Sequence, residues 1–288
     1  MHRMSFVLCF VILIALSGVL YAQNQLDPKP LDPAKDPDID MFMGNWRSSI
    51  PFNSHGSITE RAILSKLAGN DELKPQRKGA VLTCANRFSR ATMDPHVSTT
   101  LTTLKGEQEV FYFVSGTGII KAGGETAELR NGVFVLVPEG VEFTIKNTGD
   151  NLLVMYLINE PVPAGFTPKK SMVVKDEKAM PYRNDGYLQV HWSHNGKNIF
   201  TTGDGLATLK SVNLLIFNAM TIGQPHSHGP GLEEVWSVIE GKNLAFLGKE
   251  IRWQGSGEAY KIPPTGYTPH SNINTTDEPI LFLYFSRL

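Results

Sequence analysis

An internal repeat constrains this chain more than any other feature. Glu109-Val-Phe-Tyr-Phe-Val-Ser-Gly116 aligns with Glu234-Val-Trp-Ser-Val-Ile-Glu-Gly241 at an offset of 125 residues. Pro138-Glu-Gly140 aligns with Pro264-Thr-Gly266 at 126, and Asn147-Thr-Gly-Asp150 with Asn274-Thr-Thr-Asp277 at 127. The drift matches single-residue insertions in turns, where added length costs little. A period this long describes two copies of a domain-sized unit rather than a solenoid of short repeats.

Each copy reads as β structure. Short apolar runs alternate with Gly, Asn-Gly and Pro turns, at Ala80–Phe88, Glu109–Ser115, Val133–Val137, Phe143–Lys146 and Leu152–Ile158. The second set is Val212–Met220, Glu234–Ile239, Ala259–Ile262 and Ile280–Phe285. Ahead of the first copy, Ser57-Ile-Thr-Glu60 has the form of a capping box and predicts a short helix over 61–67. Met41–Trp46 offers enough apolar bulk to dock on a barrel, and Glu160-Pro-Val-Pro-Ala-Gly165 marks a break between copies. The predicted organisation is a leader and short helix over 23–78, an N-terminal barrel over 79–160, a linker over 161–205 and a C-terminal barrel over 206–288.

The chemistry concentrates in the second copy. Gly223-Gln-Pro-His226-Ser-His228 precedes Glu234 and Gly241, and Pro264-Thr-Gly266 precedes His270 and Asn274. Side chains two apart on a strand share a face, so His226 and His228 point together. A carboxylate and a third imidazole on later strands then complete a donor set for a divalent ion such as Mn, Fe, Ni, Co or Zn.

These two stretches resemble the paired motifs of the cupin superfamily. Glu234, seven residues before Gly241, stands at the glutamate ligand position rather than Glu233. The gaps from His228 to Glu234 and from Gly266 to His270 are each one residue longer than the common pattern. With the repeat, the resemblance implies a bicupin, an all-β chain of two jelly-roll (double-stranded β-helix) barrels in tandem. It also implies one metal, held by His226, His228, Glu234 and His270. The first-copy counterparts are Leu101, Thr103, Glu109 and Phe143. Only the glutamate survives there, so the N-terminal barrel is expected to be structural and to pack against its partner.

Other residues carry weaker signals. His96 lies before the position where a first-barrel ligand is needed. His191-Trp-Ser-His194 has metal-compatible spacing, but the following Asn195-Gly196 predicts a turn. Trp236, Tyr260, Tyr267 and Phe282 are candidates to line a pocket, as is Tyr284, with plain core packing as the competing role of the strand aromatics. Glu233 adjoins a ligand, but strand parity turns it away. The sequence contains no Ser/His/Asp triad, phosphate loop or nucleotide fingerprint.

His2 and Arg3, the apolar run Phe6–Leu16 and the small residues up to Ala22 read as a secretory signal peptide over 1–22. The expected location is periplasmic or secreted, with no membrane association after cleavage. The chain has 27 Lys+Arg against 28 Asp+Glu, a net charge of −1. That balance argues against a nucleic-acid partner. Cys9 leaves with the signal and Cys84 remains alone, so no disulfide framework supports the fold.

Three neutral imidazoles and one carboxylate leave a divalent ion with a net charge near +1 and, in an octahedral shell, two open positions. The expected substrate is a small anionic or sugar-like molecule, with isomerase, lyase or hydrolase chemistry. Two alternatives stand beside this reading: an Fe- or Mn-dependent oxygenase, oxidase or decarboxylase, and a non-catalytic ligand binder. The expected assembly is a monomer or homodimer.

Overall fold

The computed structural model describes residues 36–183 and 194–287. Strands dominate, and the helical pieces among these residues are 3-10 turns of three or four residues. The signal-peptide region and His191-Trp-Ser193 lie outside the described residues. No helix among them is long and apolar enough to cross a membrane.

The strands form two double-sheet barrels. In the first, one sheet runs in the order Val173–Asp176, Val133–Val137, Glu107–Ser115, Leu153–Pro161, Arg87–Met93, Ile58–Lys66 and Phe52–Ser54. Ala80–Leu82 joins it beside Ile58–Lys66. A smaller sheet of Thr102–Thr103, Glu142–Asn147, Gly118–Ala122 and Glu125–Leu129 closes over it. Between them lies an apolar interior that includes Phe111, Phe113, Ile120, Leu129 and Phe143. In the second barrel the larger sheet runs Met43–Asn45, Glu258–Lys261, Glu233–Glu240, Ile280–Arg287, Ser211–Phe217 and His194–Thr201. Glu250–Gly255, Lys242–Leu247 and His270–Ile273 make the smaller sheet. Its interior holds Phe217, Trp236, Val238, Leu247, Tyr260 and Phe282.

A third core joins the barrels. Successive strand residues face opposite sides, so Phe111 and Phe113 point inward while Val110 and Tyr112 point outward. In the second barrel Trp236 points inward and Val235 outward. The outward sets meet in a shared cluster with Phe88, Phe134, Phe200 and Phe285. Phe88 crosses to Phe285 at 5.4 Å between ring centroids, and Phe134 to Phe200 at 6.3 Å. This double burial explains why the central strands read as continuous apolar runs rather than as alternating ones.

The predicted helix over 61–67 is instead part of the strand Ile58–Lys66. Ser57 and Glu60 match a capping box, yet Glu60 is buried and accepts a 2.9 Å hydrogen bond from Arg87. β-Branched Ile58, Thr59 and Ile63 favour the pleated sheet, and pairing with Arg87–Met93 overrides the local helix signal. Asn195-Gly196 likewise lies within the strand His194–Thr201 rather than in a turn.

The segments read as leader and linker contribute strands to barrels beyond their own repeat. Met43–Asn45 pairs with Glu258–Lys261 in the second barrel. Val173–Asp176 pairs with Val133–Val137 in the first. Ile39 is buried in the second barrel's interior and Met172 in the first barrel's. Each copy thus lends an edge strand and an apolar plug to the other.

Candidate metal centre

The backbone between Gly223 and His226 runs extended against the strand His270–Ile273. Gly223 N–H donates to the Asn272 carbonyl at 3.1 Å, and His226 and His270 exchange backbone hydrogen bonds of 3.2 and 2.9 Å. This pairing sets His226 beside His270, and the two-residue period brings His228 to the same side. Ring centroids lie 4.4 Å apart for His226 and His270, 4.8 Å for His226 and His228, and 5.1 Å for His228 and His270. Ligand atoms of the three imidazoles all fall within 4.8 Å of one another.

Glu234 enters from the start of the strand Glu233–Glu240. Its Oε2 lies 3.3 Å from His228 Nε2 and 3.5 Å from His270 Nε2. Burial alone would raise the Glu234 pKa. The His228 hydrogen bond, the charges of His270 and His228 and the Tyr284 hydroxyl overcome it and hold the group at about 2. Its hydrogen bond to Glu234 raises the pKa of His228 in turn, against partial burial. A carboxylate kept ionised among imidazoles is the charge arrangement that a cation would complete.

Two contacts fix the donors' orientation. A carbonyl can only accept, so the 2.9 Å contact between His226 Nδ1 and the Gln224 oxygen places the proton on Nδ1 and the lone pair on Nε2. Tyr284 donates its hydroxyl to Glu234 Oε1 at 2.6 Å. Partners of this kind set the tautomer and direction of metal ligands. The donor chemistry therefore fits one divalent transition ion: borderline nitrogen donors, one anionic oxygen and a compact, partly buried setting.

His228 and Glu234 open onto a pocket whose other lining residues are Gly229, Leu232, Ile262, Pro263, Pro264, Gly266 and Thr268. Its walls mix polar and apolar surface and, among the described residues, include no Lys or Arg. The aromatic candidates divide differently from expectation. Trp236 is buried against Phe282 and Tyr284, with its indole N–H 3.5 Å from Glu234 Oε2. Tyr260 is fully buried and donates to Asn272 Oδ1 at 3.0 Å, and Phe282 is interior core. Tyr267 sits in the loop beside the pocket with 56% of its surface exposed. Trp236, Tyr260 and Phe282 are thus core residues behind the site rather than pocket walls, because inward strand residues fill the barrel. The walls that sequence reasoning missed come from the loops at 229–232 and 262–268. The one-residue extensions of both motif gaps were their signal.

The first barrel shows what replaces the ligands. Leu101 is 63% exposed, Thr103 is also exposed and Phe143 packs in the interior. Glu109 is buried and contacts His55 Nε2 at 3.0 Å, Arg87 Nη2 at 2.9 Å and Asn159 Nδ2 at 3.0 Å. Burial works against the charge of Glu109, but these partners keep its pKa low. Arg87 thus supplies positive charge beside Glu109, with His55 as a further partner of the carboxylate. His55 was not legible as their partner, since it comes from the turn before Ile58. His96 is exposed on the surface and pairs with Asp150 at 2.9 Å.

Residues 89–159 match the family model of the cupin domain. No curated protein matches the chain by sequence. Similar solved structures include a putative glyoxylate-induced protein from Pseudomonas aeruginosa. It is 13% identical, with a TM-score of 0.66 over 83% of this chain and 84% of that one. Oxalate decarboxylase from Lactobacillus farciminis, in a formate complex, is 12% identical, with a TM-score of 0.63 over 89% of each chain. Bacterial pirin YhhW from Escherichia coli, in complex with nickel(II), is 12% identical, with a TM-score of 0.59 over 85% of this chain and 98% of that one. The chain therefore carries a cupin domain in its first barrel and has the two-barrel cupin fold as a whole. At these identities the solved structures speak to fold alone.

Proposed function

We propose that the protein is an exported, metal-dependent bicupin enzyme with one divalent transition ion, Mn, Fe, Ni or Zn, in its C-terminal barrel. His226, His228, Glu234 and His270 hold it. The observation that carries this reading is the convergence of three imidazoles within 4.8 Å, with Glu234 at 3.3 and 3.5 Å from two of them. A pocket opening directly on His228 and Glu234 supports a reactive rather than a closed structural site.

When bound, the ion would supply Lewis acidity toward a carbonyl or carboxylate oxygen. The chain's own residues do the rest. Glu234 stays ionised, and Tyr284 and the Gln224 carbonyl hold Glu234 and His226 in place. Leu232, Ile262, Pro263 and Pro264 supply apolar wall for the substrate's non-polar part, and Thr268 lines the pocket with its hydroxyl bonded to Thr265 at 2.6 Å. With no Lys or Arg among the described residues of the wall, a negative substrate group goes to the ion itself. That suits a small anionic or sugar-like molecule undergoing isomerisation, elimination or hydrolysis.

Oxidase, oxygenase or decarboxylase chemistry is the second reading, and the fold likeness to oxalate decarboxylases over most of the chain favours it. The test is a substrate screen of hydroxy, keto and sugar acids on protein loaded with each of the four ions, with oxygen uptake followed in parallel. Turnover with neither oxygen uptake nor CO2 release supports the first reading, and oxygen consumption or CO2 release moves the second into its place. Metal binding with no turnover in either arm leaves a non-catalytic binder.

A further inference from the structure

Residues 81–84 and Glu233 form a buried latch between the barrels, one residue from a proposed metal ligand. Glu233 and Lys261 both belong to the second barrel, are 2% and 1% exposed, and pair at 3.1 Å. Their remaining partners come from the first barrel. Thr83 N–H donates to Glu233 at 3.1 to 3.2 Å, and the Thr83 hydroxyl also donates to it. Cys84 Sγ lies 2.9 Å from Glu233 Oε1, and Lys261 Nζ donates to the Val81 carbonyl at 2.7 Å. The Ile262 N–H, next to Lys261, donates to the Glu234 carbonyl at 3.0 Å. The ion pair therefore grips both flanks of Glu234, and the first barrel solvates it.

The repeat supplies a counterpart. Thr208 stands 125 residues after Thr83 and donates its N–H to Glu160, a first-barrel carboxylate, at 2.9 Å. Its hydroxyl lies 2.9 Å from the same carboxylate and 2.6 Å from the Cys84 carbonyl, so it also touches the segment that holds Glu233. Leu209 N–H adds a 3.0 Å bond. Both latches bridge the same interface with the same donor groups. Only the one at Glu233 adjoins a proposed ligand.

We infer that Glu233 is a positioning residue for the metal centre. The first barrel's segment 81–84, acting through Glu233 and Lys261, fixes the strand end that presents Glu234. This rests on the metal reading above, and it gives the barrel that lacks the three ligand histidines a role in the chemistry of the other. A buried ion pair adds little net stability by itself. Its value here is geometric, because Glu234 cannot shift relative to the histidines while Glu233 is held.

The test compares Thr83→Val with Glu160→Gln in the full chain, titrated with Co(II) and read by the visible absorption of the bound ion and by melting temperature. Each variant weakens one latch, and Glu160→Gln leaves the Thr208 hydroxyl free to keep its bond to Cys84, so both are expected to lower the melting temperature. Thr83→Val is expected to weaken Co(II) binding about tenfold and shift its spectrum, as loss of ligand-orienting contacts does. Thr83→Ser is expected to restore both, and Glu160→Gln to alter neither. Glu233→Gln, which keeps the shape and removes the charge, is expected to follow Thr83→Val. Equal Co(II) affinity and spectra in Thr83→Val and Glu160→Gln would overturn the inference while leaving the metal site standing. A wild-type protein that takes up no Co(II) would overturn the metal reading and this inference with it.

Discussion

Glu234 and His228 show how single residues set the pH behaviour of the centre. Without metal they form a partly buried ion pair. The lowered Glu234 pKa contributes stability above the ordinary carboxylate value of about 4.3, lost as pH falls toward 2. The raised His228 pKa contributes stability below the ordinary imidazole value of about 6.5, lost as pH rises through the folded value. The pair is thus worth most to the metal-free protein between about pH 4.3 and 6.5. A bound ion requires neutral imidazoles, so uptake should release protons and weaken as pH falls through the His228 pKa. Melting curves against pH, with and without Co(II), should diverge in this way, and His228→Gln should flatten the metal-free profile above pH 6. Tyr284→Phe removes the hydroxyl that orients Glu234, and it should cost about tenfold in ion affinity with the fold intact. Calorimetric titration measures that loss, and unchanged affinity would remove Tyr284 from the account. That His226, His228, Glu234 and His270 come together was legible in the sequence through strand parity and the resemblance to the paired cupin motifs. Tyr284 was visible only as another aromatic, since nothing local tells that its hydroxyl meets a carboxylate from the neighbouring strand.

Strands and the repeat were legible; their partners were not. Glu234–Ile239 read correctly as a strand because apolar bulk and the closing Gly241 are local signals. Ile58–Lys66 did not, because Ser57 and Glu60 satisfy a helix rule that a distant strand, Arg87–Met93, outweighs. Exchange of edge strands left no local trace at all. Gly44 is its clearest signature: a Cβ there would lie 1.8 Å from the Ile63 carbonyl oxygen, in a place where the backbones of the arm and Ile58–Lys66 meet. Gly44→Ala is therefore expected to displace the Met43–Asn45 strand from the second barrel and destabilise the protein by more than about 2 kcal/mol. Denaturant melts give the magnitude, and limited proteolysis should show faster cleavage in the arm. A variant as stable and protease-resistant as the parent would show that the arm does not depend on this approach.

At the scale of the molecule, the two barrels share one outer core and one set of exchanged arms. Residues 206–288, read from sequence as a barrel, lack the strands Met43–Asn45 and His194–Thr201 and the plug at Ile39. Expressed alone they should give poorly dispersed amide spectra and no cooperative melt, whereas the full chain should unfold in one transition. A folded fragment that binds metal would contradict the shared-core description. The first barrel has its own pairing, with Arg87 set against Glu60 and Glu109 and His55 against Glu109.

The central claim is one ion in one barrel, and metal content by mass spectrometry tests it most directly. The protein should carry about one transition-metal ion per chain, lost in a His226→Ala/His228→Ala double variant that remains folded. Two ions per chain would contradict the assignment of the first barrel. No ion, even after loading with Mn, Fe, Ni or Zn, would contradict the centre itself.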